Sequence, residues 1–209
     1  DDMIFLREGS EVKEIIDISK IKLIGIHNIQ NIMASLLMVN SILKKMNVKP
    51  DYEKIAQAIY SFGGLEHRME KIGEYEGRVF INDSKATTIG ALEMAIKSLN
   101  GNGIIIMGGR MKGDDYSRLN ESMKGKVRGV VLIGESKDYL SEIFRDQNHQ
   151  KADDLDDAVI KAMKMSSEGD SIILSPACTS FDMYNNYEER GQFFKKTFTK
   201  LSKGEISWI

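Results

Sequence analysis

Proline, cysteine and tryptophan are scarce in this sequence: two, one and one among 209 residues. With Cys178 as the only cysteine, no disulfide can form within the chain. That excludes a cross-linked extracellular scaffold and fits a reducing cytoplasm. Long apolar runs are missing too, since none approaches the ~20 residues of a membrane span. The longest candidate, residues 32–43, is interrupted by Ser35, Asn40 and Ser41. The first residues lack the charged-then-apolar order of a secretory signal. They begin at Asp1-Asp2 without an initiator methionine, which leads us to expect a piece of something longer. Charge of one sign is not in excess either. Twenty-nine basic residues face 31 acidic ones, a formal −2, so no basic face argues for nucleic acid. Pairs such as Lys44-Lys45 and Lys195-Lys196 read as solvated helix faces.

What is present is ordinary globular material, 42% hydrophobic and 29% charged, enough for one large domain or for one domain plus part of another. Residues 3–6 and 12–16 read as strands about a Glu8-Gly9-Ser10 turn, and residues 21–24 as a further strand. The period then changes. Ile29, Ile32, Met33, Leu36, Leu37, Leu43 and Met46 largely follow helical spacing. Pro50 and Asp51 start a second helix with Tyr52, Ile55, Ile59 and Phe62 inward. Gly63-Gly64 ends it, and two glycines there permit a left-handed stop and a joint. The expected division is therefore 1–64 and 65–209.

Beyond the joint, strand and helix alternate. Residues 69–75 and 79–81 form a strand pair around Glu76-Gly77, followed by a helix over 88–99. Three short β-branched runs at 104–107, 130–133 and 172–174 have the character of strands buried on both faces. Helical patterns at 139–144, 155–165 and 188–201 accompany them. This rhythm predicts an α/β fold: an open, mostly parallel sheet with helices on both faces.

Such sheets bind ligands beyond the carboxyl ends of their strands. That rule singles out the loops 82–88, 108–115 and 175–187. The first, Asn82-Asp83-Ser84-Lys85-Ala86-Thr87, offers a carboxylate, an ammonium and hydroxyls beside a helix N-terminus, which favours anions; equally, Asp83 or Thr87 serves as a helix cap. In the second, Gly108-Gly109-Arg110-Met111-Lys112-Gly113, glycines admit close approach and Lys112 can meet a carboxylate or phosphate; a solvated turn reads as well. In the third, Ser175-Pro176-Ala177-Cys178-Thr179-Ser180-Phe181-Asp182, hydroxyl and backbone donors suit a carboxylate. A nucleophilic Cys178 or Ser180 is the weaker reading there, because no G-x-S-x-G elbow is present and only His27, His67 and His149 could serve as base. A buried, inert Cys178 is the default. Upstream, Asn28 reads as the N-cap of the first long helix, with Asn31 one turn along on the same side. Arg68 either clamps a phosphate or pairs with Glu70.

The order of these segments is more informative than any one of them. His27-Asn28-x-x-Asn31, His67-Arg68-x-Glu70, Asn82 to Thr87 and Gly108-Gly109-x-x-Lys112 together resemble the C-terminal half of the Mur ligases. The ending Ser175-Pro176-Ala177-Cys178-x-Ser180-x-Asp182, with Arg190-Gly191-x-x-Phe194, resembles the D-glutamate-adding members. The resemblance implies that residues 1–64 are the tail of a central ATP-binding α/β domain and residues 65–209 a Rossmann-like C-terminal domain. It also implies ATP with Mg2+, and UDP-N-acetylmuramoyl-L-alanine and D-glutamate as substrates joined through an acyl phosphate. Asn28 and Asn31 would lie on the adenine side, and Arg68, Asp83 and Lys85 would reach ribose and phosphates. Thr87, Lys112, Ser180, Phe181 and Tyr187 would hold D-glutamate, with Lys85 and Lys112 in catalytic roles. Tyr187 stands where the family often has leucine or phenylalanine. No G-x-x-x-x-G-K-[ST] occurs in the chain, and the metal ligands of the central domain have no counterpart, so the segment alone is expected to be inactive. The remaining alternatives are another Mur ligase, a folylpolyglutamate synthetase, or a nucleotide-binding module without catalysis.

Overall fold

The computed structural model describes residues 2–99 and 101–208. They fall into two compact units, one up to Gly64 and one from Leu65 onward. The first unit opens with strands β1 (Met3–Glu8) and β2 (Glu11–Asp17), paired antiparallel. Helices α1 (Ile26–Lys45) and α2 (Tyr52–Ser61) follow. Ile4, Ile15 and Ile16 from the hairpin, Ile32 and Leu36 from α1, and Ala56 from α2 make its core. Asp51 caps α2 by accepting the Lys54 N–H at 3.1 Å.

Two expectations fail here. Residues 21–24 form no strand. Nor does Asn28 cap α1: the cap is Gly25, and Asn28 lies inside the helix, its amide donating back to the Ile24 carbonyl at 2.8 Å. A glycine with φ of 99° supplies the turn into the helix.

The second unit holds a six-stranded sheet in the order β3-β4-β8-β5-β6-β7. Its strands are β3 (Glu70–Tyr75), β4 (Arg78–Asn82), β5 (Gly103–Gly108), β6 (Val127–Ile133), β7 (His149–Lys151) and β8 (Ser171–Leu174). Only β3 runs antiparallel, as the hairpin partner of β4; every other neighbouring pair is parallel. The helices are α3 (Ile89–Lys97), α4 (Leu119–Met123), α5 (Lys137–Ile143), α6 (Leu155–Met165) and α7 (Tyr187–Ser202).

Every residue of β5 and β8 is buried, as expected for parallel strands covered on both faces. Phe80, Ile104, Ile106, Val131, Ile133, Ile172 and Leu174 point to one face and pack against Ala158, Val159, Ala162 and Met163 of α6 and Phe194 and Leu201 of α7. Ile81, Ile105, Met107, Leu132 and Ile173 alternate to the other face and are buried as well. Each such isoleucine contributes roughly 1.5–3 kcal/mol through burial. The apolar runs of the sequence therefore became the central strands. The three-residue β7, a polar edge strand, and the short α4 carry too little pattern to be read in advance.

Candidate functional site

The loops following β4, β8 and β5 leave neighbouring strands at the same end of the sheet. Main-chain hydrogen bonds join them. Asp83 N–H donates to the Leu174 carbonyl at 2.8 Å, and Ala177 N–H to the Ala86 carbonyl at 2.8 Å. Gly108 N–H donates to the Pro176 carbonyl at 3.0 Å, and Arg110 and Thr179 exchange a pair of bonds, each 3.0 Å. The contact depends on glycine. Gly109 has φ of +130°, and a Cβ there would lie 2.3 Å from the Thr179 carbonyl oxygen. Gly108, at φ +120°, would place one 2.1 Å from the Ile133 carbonyl oxygen. No L side chain fits either place.

Within this frame, Lys112 Nζ donates to Thr87 Oγ1 at 3.2 Å. Lys85 Nζ donates to the Tyr187 hydroxyl at 3.1 Å and lies 4.9 Å from that ring's centre. Among the described residues neither ammonium forms an ion pair, and both are exposed. Two cations held only by hydroxyls keep free N–H donors for an anion. Ser180 is buried and its carbonyl accepts the Met183 and Tyr184 N–H groups at 3.0 and 2.8 Å. Phe181, next to it, is 62% exposed. Thr87 is not the cap of α3; Thr88 is, accepting the Ala91 N–H at 3.3 Å. Thr87 is thereby left to face Lys112.

Asp83 is buried below the exposed Arg68. One carboxylate oxygen accepts the Met69 N–H at 3.1 Å and the other the Ser175 hydroxyl at 2.9 Å. Burial raises its pKa to about 6, although both hydrogen bonds and the Arg68 charge oppose the shift. Asn28 and Asn31 belong to the first unit, on α1. The nucleophile reading finds no support in the geometry. Cys178 is fully buried, burial pushes its thiol up, and its nearest polar partner is the Tyr116 hydroxyl at 3.2 Å rather than a histidine.

Composition gave no warning of Arg190. It is 1% exposed, and buried arginines are rare. Its Nε donates to Ser84 Oγ at 3.0 Å, one terminal nitrogen to the Ser84 carbonyl at 2.8 Å, and both terminal nitrogens to the Cys178 carbonyl at 3.2 Å. All of these acceptors are neutral, and burial lowers its pKa to about 10. His67 is a second buried polar group that its sequence context does not mark. It is buried at φ 63°, with its Nδ1 2.9 Å from the Asn82 amide nitrogen.

Residues 67–178 match the family described as Mur ligase, glutamate ligase domain. The chain belongs to the Mur ligase family. It is 38% identical, over 93% of its length, to the UDP-N-acetylmuramoylalanine--D-glutamate ligase of Desulfitobacterium hafniense strain Y51, and covers 42% of that protein. With the enzyme of the same name from Thermoanaerobacter sp. strain X514 it shares 35% identity over 97% of its length, covering 44% of that relative. The chain thus spans less than half of these Mur ligases. Among solved structures, UDP-N-acetylmuramate-alanine ligase from Thermotoga maritima superposes with a TM-score of 0.61 at 14% identity, over 86% of this chain and 39% of that one. Folylpolyglutamate synthase from Mycobacterium tuberculosis, complexed with ADP, gives 0.62 at 11% identity, over 85% of this chain and 41% of that one. At such identities these two comparisons speak for the fold alone.

Proposed function

We propose that this chain is the amino-acid-binding part of an ATP-driven ligase that joins D-glutamate to UDP-N-acetylmuramoyl-L-alanine in the cytoplasm. The supporting observation is the Lys112–Thr87 contact inside a frame shared with the Ser180 loop, together with relatives of that name. A dicarboxylic amino acid needs two anion sites. Lys112 with Thr87 forms one, and Ser180, Phe181 and Tyr187 border the other. Lys112 neutralises a carboxylate and fixes the amine near the acyl group to be attacked, which is chiefly a gain in proximity.

The nucleotide fits the neighbouring residues by their chemistry. The Asp83 carboxylate suits ribose hydroxyls, and Arg68 and Lys85 suit phosphate oxygens. Asn28 and Asn31 belong to the other unit, which we assign to the tail of the central ATPase domain, and their amides suit an adenine ring. Among the described residues no cluster of three or more His, Cys, Asp or Glu could hold a metal; we place Mg2+ on groups supplied by the rest of the enzyme.

The test is a titration of D-glutamate into the 15N-labelled chain. Amide shifts at Thr87, Lys112 and Ser180, weaker with L-glutamate and lost in Lys112→Ala, are expected. Shifts elsewhere, or the same response to both enantiomers, would overturn the assignment.

A further inference from the structure

The contacts of Tyr187 go beyond holding an amino acid. Its hydroxyl accepts the Lys85 ammonium at 3.1 Å while its ring lies 4.9 Å beneath that cation. The Glu188 carboxylate, next in the chain, is held below its ordinary value first of all by Tyr187.

The ring is itself braced. His67 meets it edge-on, with centroids 6.1 Å apart and planes at 81°. The His67 carbonyl also accepts the Lys85 N–H at 3.1 Å, and the Tyr187 carbonyl accepts the Ser84 hydroxyl at 2.8 Å. Both ends of the Lys85 side chain, backbone and ammonium, are thereby referred to one aromatic pair.

We propose that Tyr187 is a positioning residue that acts through Lys85: its hydroxyl and ring hold the ammonium over the loop after β4, aimed at the reacting anion. This rests on the ligase reading given above. A leucine or phenylalanine at this place would lack the hydroxyl, so the device belongs to this sequence rather than to the chemistry in general.

Two measurements test it. In the 209-residue chain, acetylation of Lys85 by acetic anhydride, read by peptide mass spectrometry against Lys112 as internal reference, should accelerate roughly fivefold in Tyr187→Phe, where a charge-stabilising hydrogen bond is removed but the ring remains. An unchanged ratio overturns the proposal. In the full-length ligase, Tyr187→Phe should lower kcat about fivefold. In a Lys85→Met background the same substitution should do nothing more. Multiplicative losses would mean that Tyr187 acts independently of Lys85, and would overturn the proposal. If the full-length protein does not ligate D-glutamate at all, the functional reading fails, while the labelling ratio still decides the Lys85–Tyr187 contact.

Discussion

The guanidinium of Arg190 donates to the carbonyl of Ser84 and to that of Cys178, so a single buried cation bridges the loops that follow β4 and β8. It has no carboxylate partner in these bonds, and its Nε takes the Ser84 hydroxyl. The arrangement is costly in desolvation, and the planar fork with its five donors reaches two loops at once.

Arg190→Met should therefore destabilise the fold by about 2–4 kcal/mol, leaving two inward carbonyls short of donors. Arg190→Lys should recover less than half of that, since one ammonium cannot span both acceptors. Urea unfolding of the three proteins checks the order; equal stability of the lysine variant and the parent would contradict it.

Asp83 gives a pH dependence with a definite sign. Its folded pKa, about 6, lies above the ordinary 3.8. The folded state thus holds more protons than the unfolded chain between these values, and stability falls as pH rises through that window. Above pH 6 the burial of the ionised group costs up to about 3 kcal/mol. Asp83→Asn should be more stable than the parent at pH 7, with the gap closing as pH falls to 4. Unfolding curves across that range decide it, and a gap that widens in acid would refute the assignment.

Gly109→Ala should cost about 2 kcal/mol or more, because the added carbon meets the Thr179 carbonyl oxygen at 2.3 Å on a backbone with φ of +130°. The same variant should blunt any D-glutamate response at Lys112, since the Arg110–Thr179 bonds must open to relieve the clash. Gly113→Ala, with nothing within 4 Å of the new carbon, is the control for backbone strain alone at φ +86°. The measurement is the difference between the two in thermal unfolding.

The 209-residue chain carries no phosphate loop and should release no ADP from ATP in the presence of D-glutamate and Mg2+. A coupled assay for ADP checks this. Steady turnover that depends on D-glutamate would show that the catalytic equipment is more complete than its residues indicate.

Much of the second unit was legible because parallel strands advertise themselves. The runs Ile104 to Met107, Val130 to Ile133 and Ile172 to Leu174 sit inside β5, β6 and β8. Helix α6 keeps the boundaries its periodicity gave. Strand order was not legible, since hydrophobic alternation says which segments are strands and not that β8 lies between β4 and β5. The rule that singles out loops after strands picks segments that do meet: Lys112 and Thr87, from two such loops, are in contact. Roles that depend on burial were hidden: Arg190, His67 and Asp83 are polar in sequence and buried in the fold. Asn28 was misjudged because Gly25, which caps α1 instead, owes that role to a backbone angle and not to a side chain.

The bonds between Asp83 and Leu174, Ala177 and Ala86, Gly108 and Pro176, and Arg110 and Thr179 all run peptide to peptide. None of these bonds uses a side chain of Thr87, Lys112 or Ser180. The three loops are thus tied to one another by main chain, and the side chains they present can change without cutting those ties.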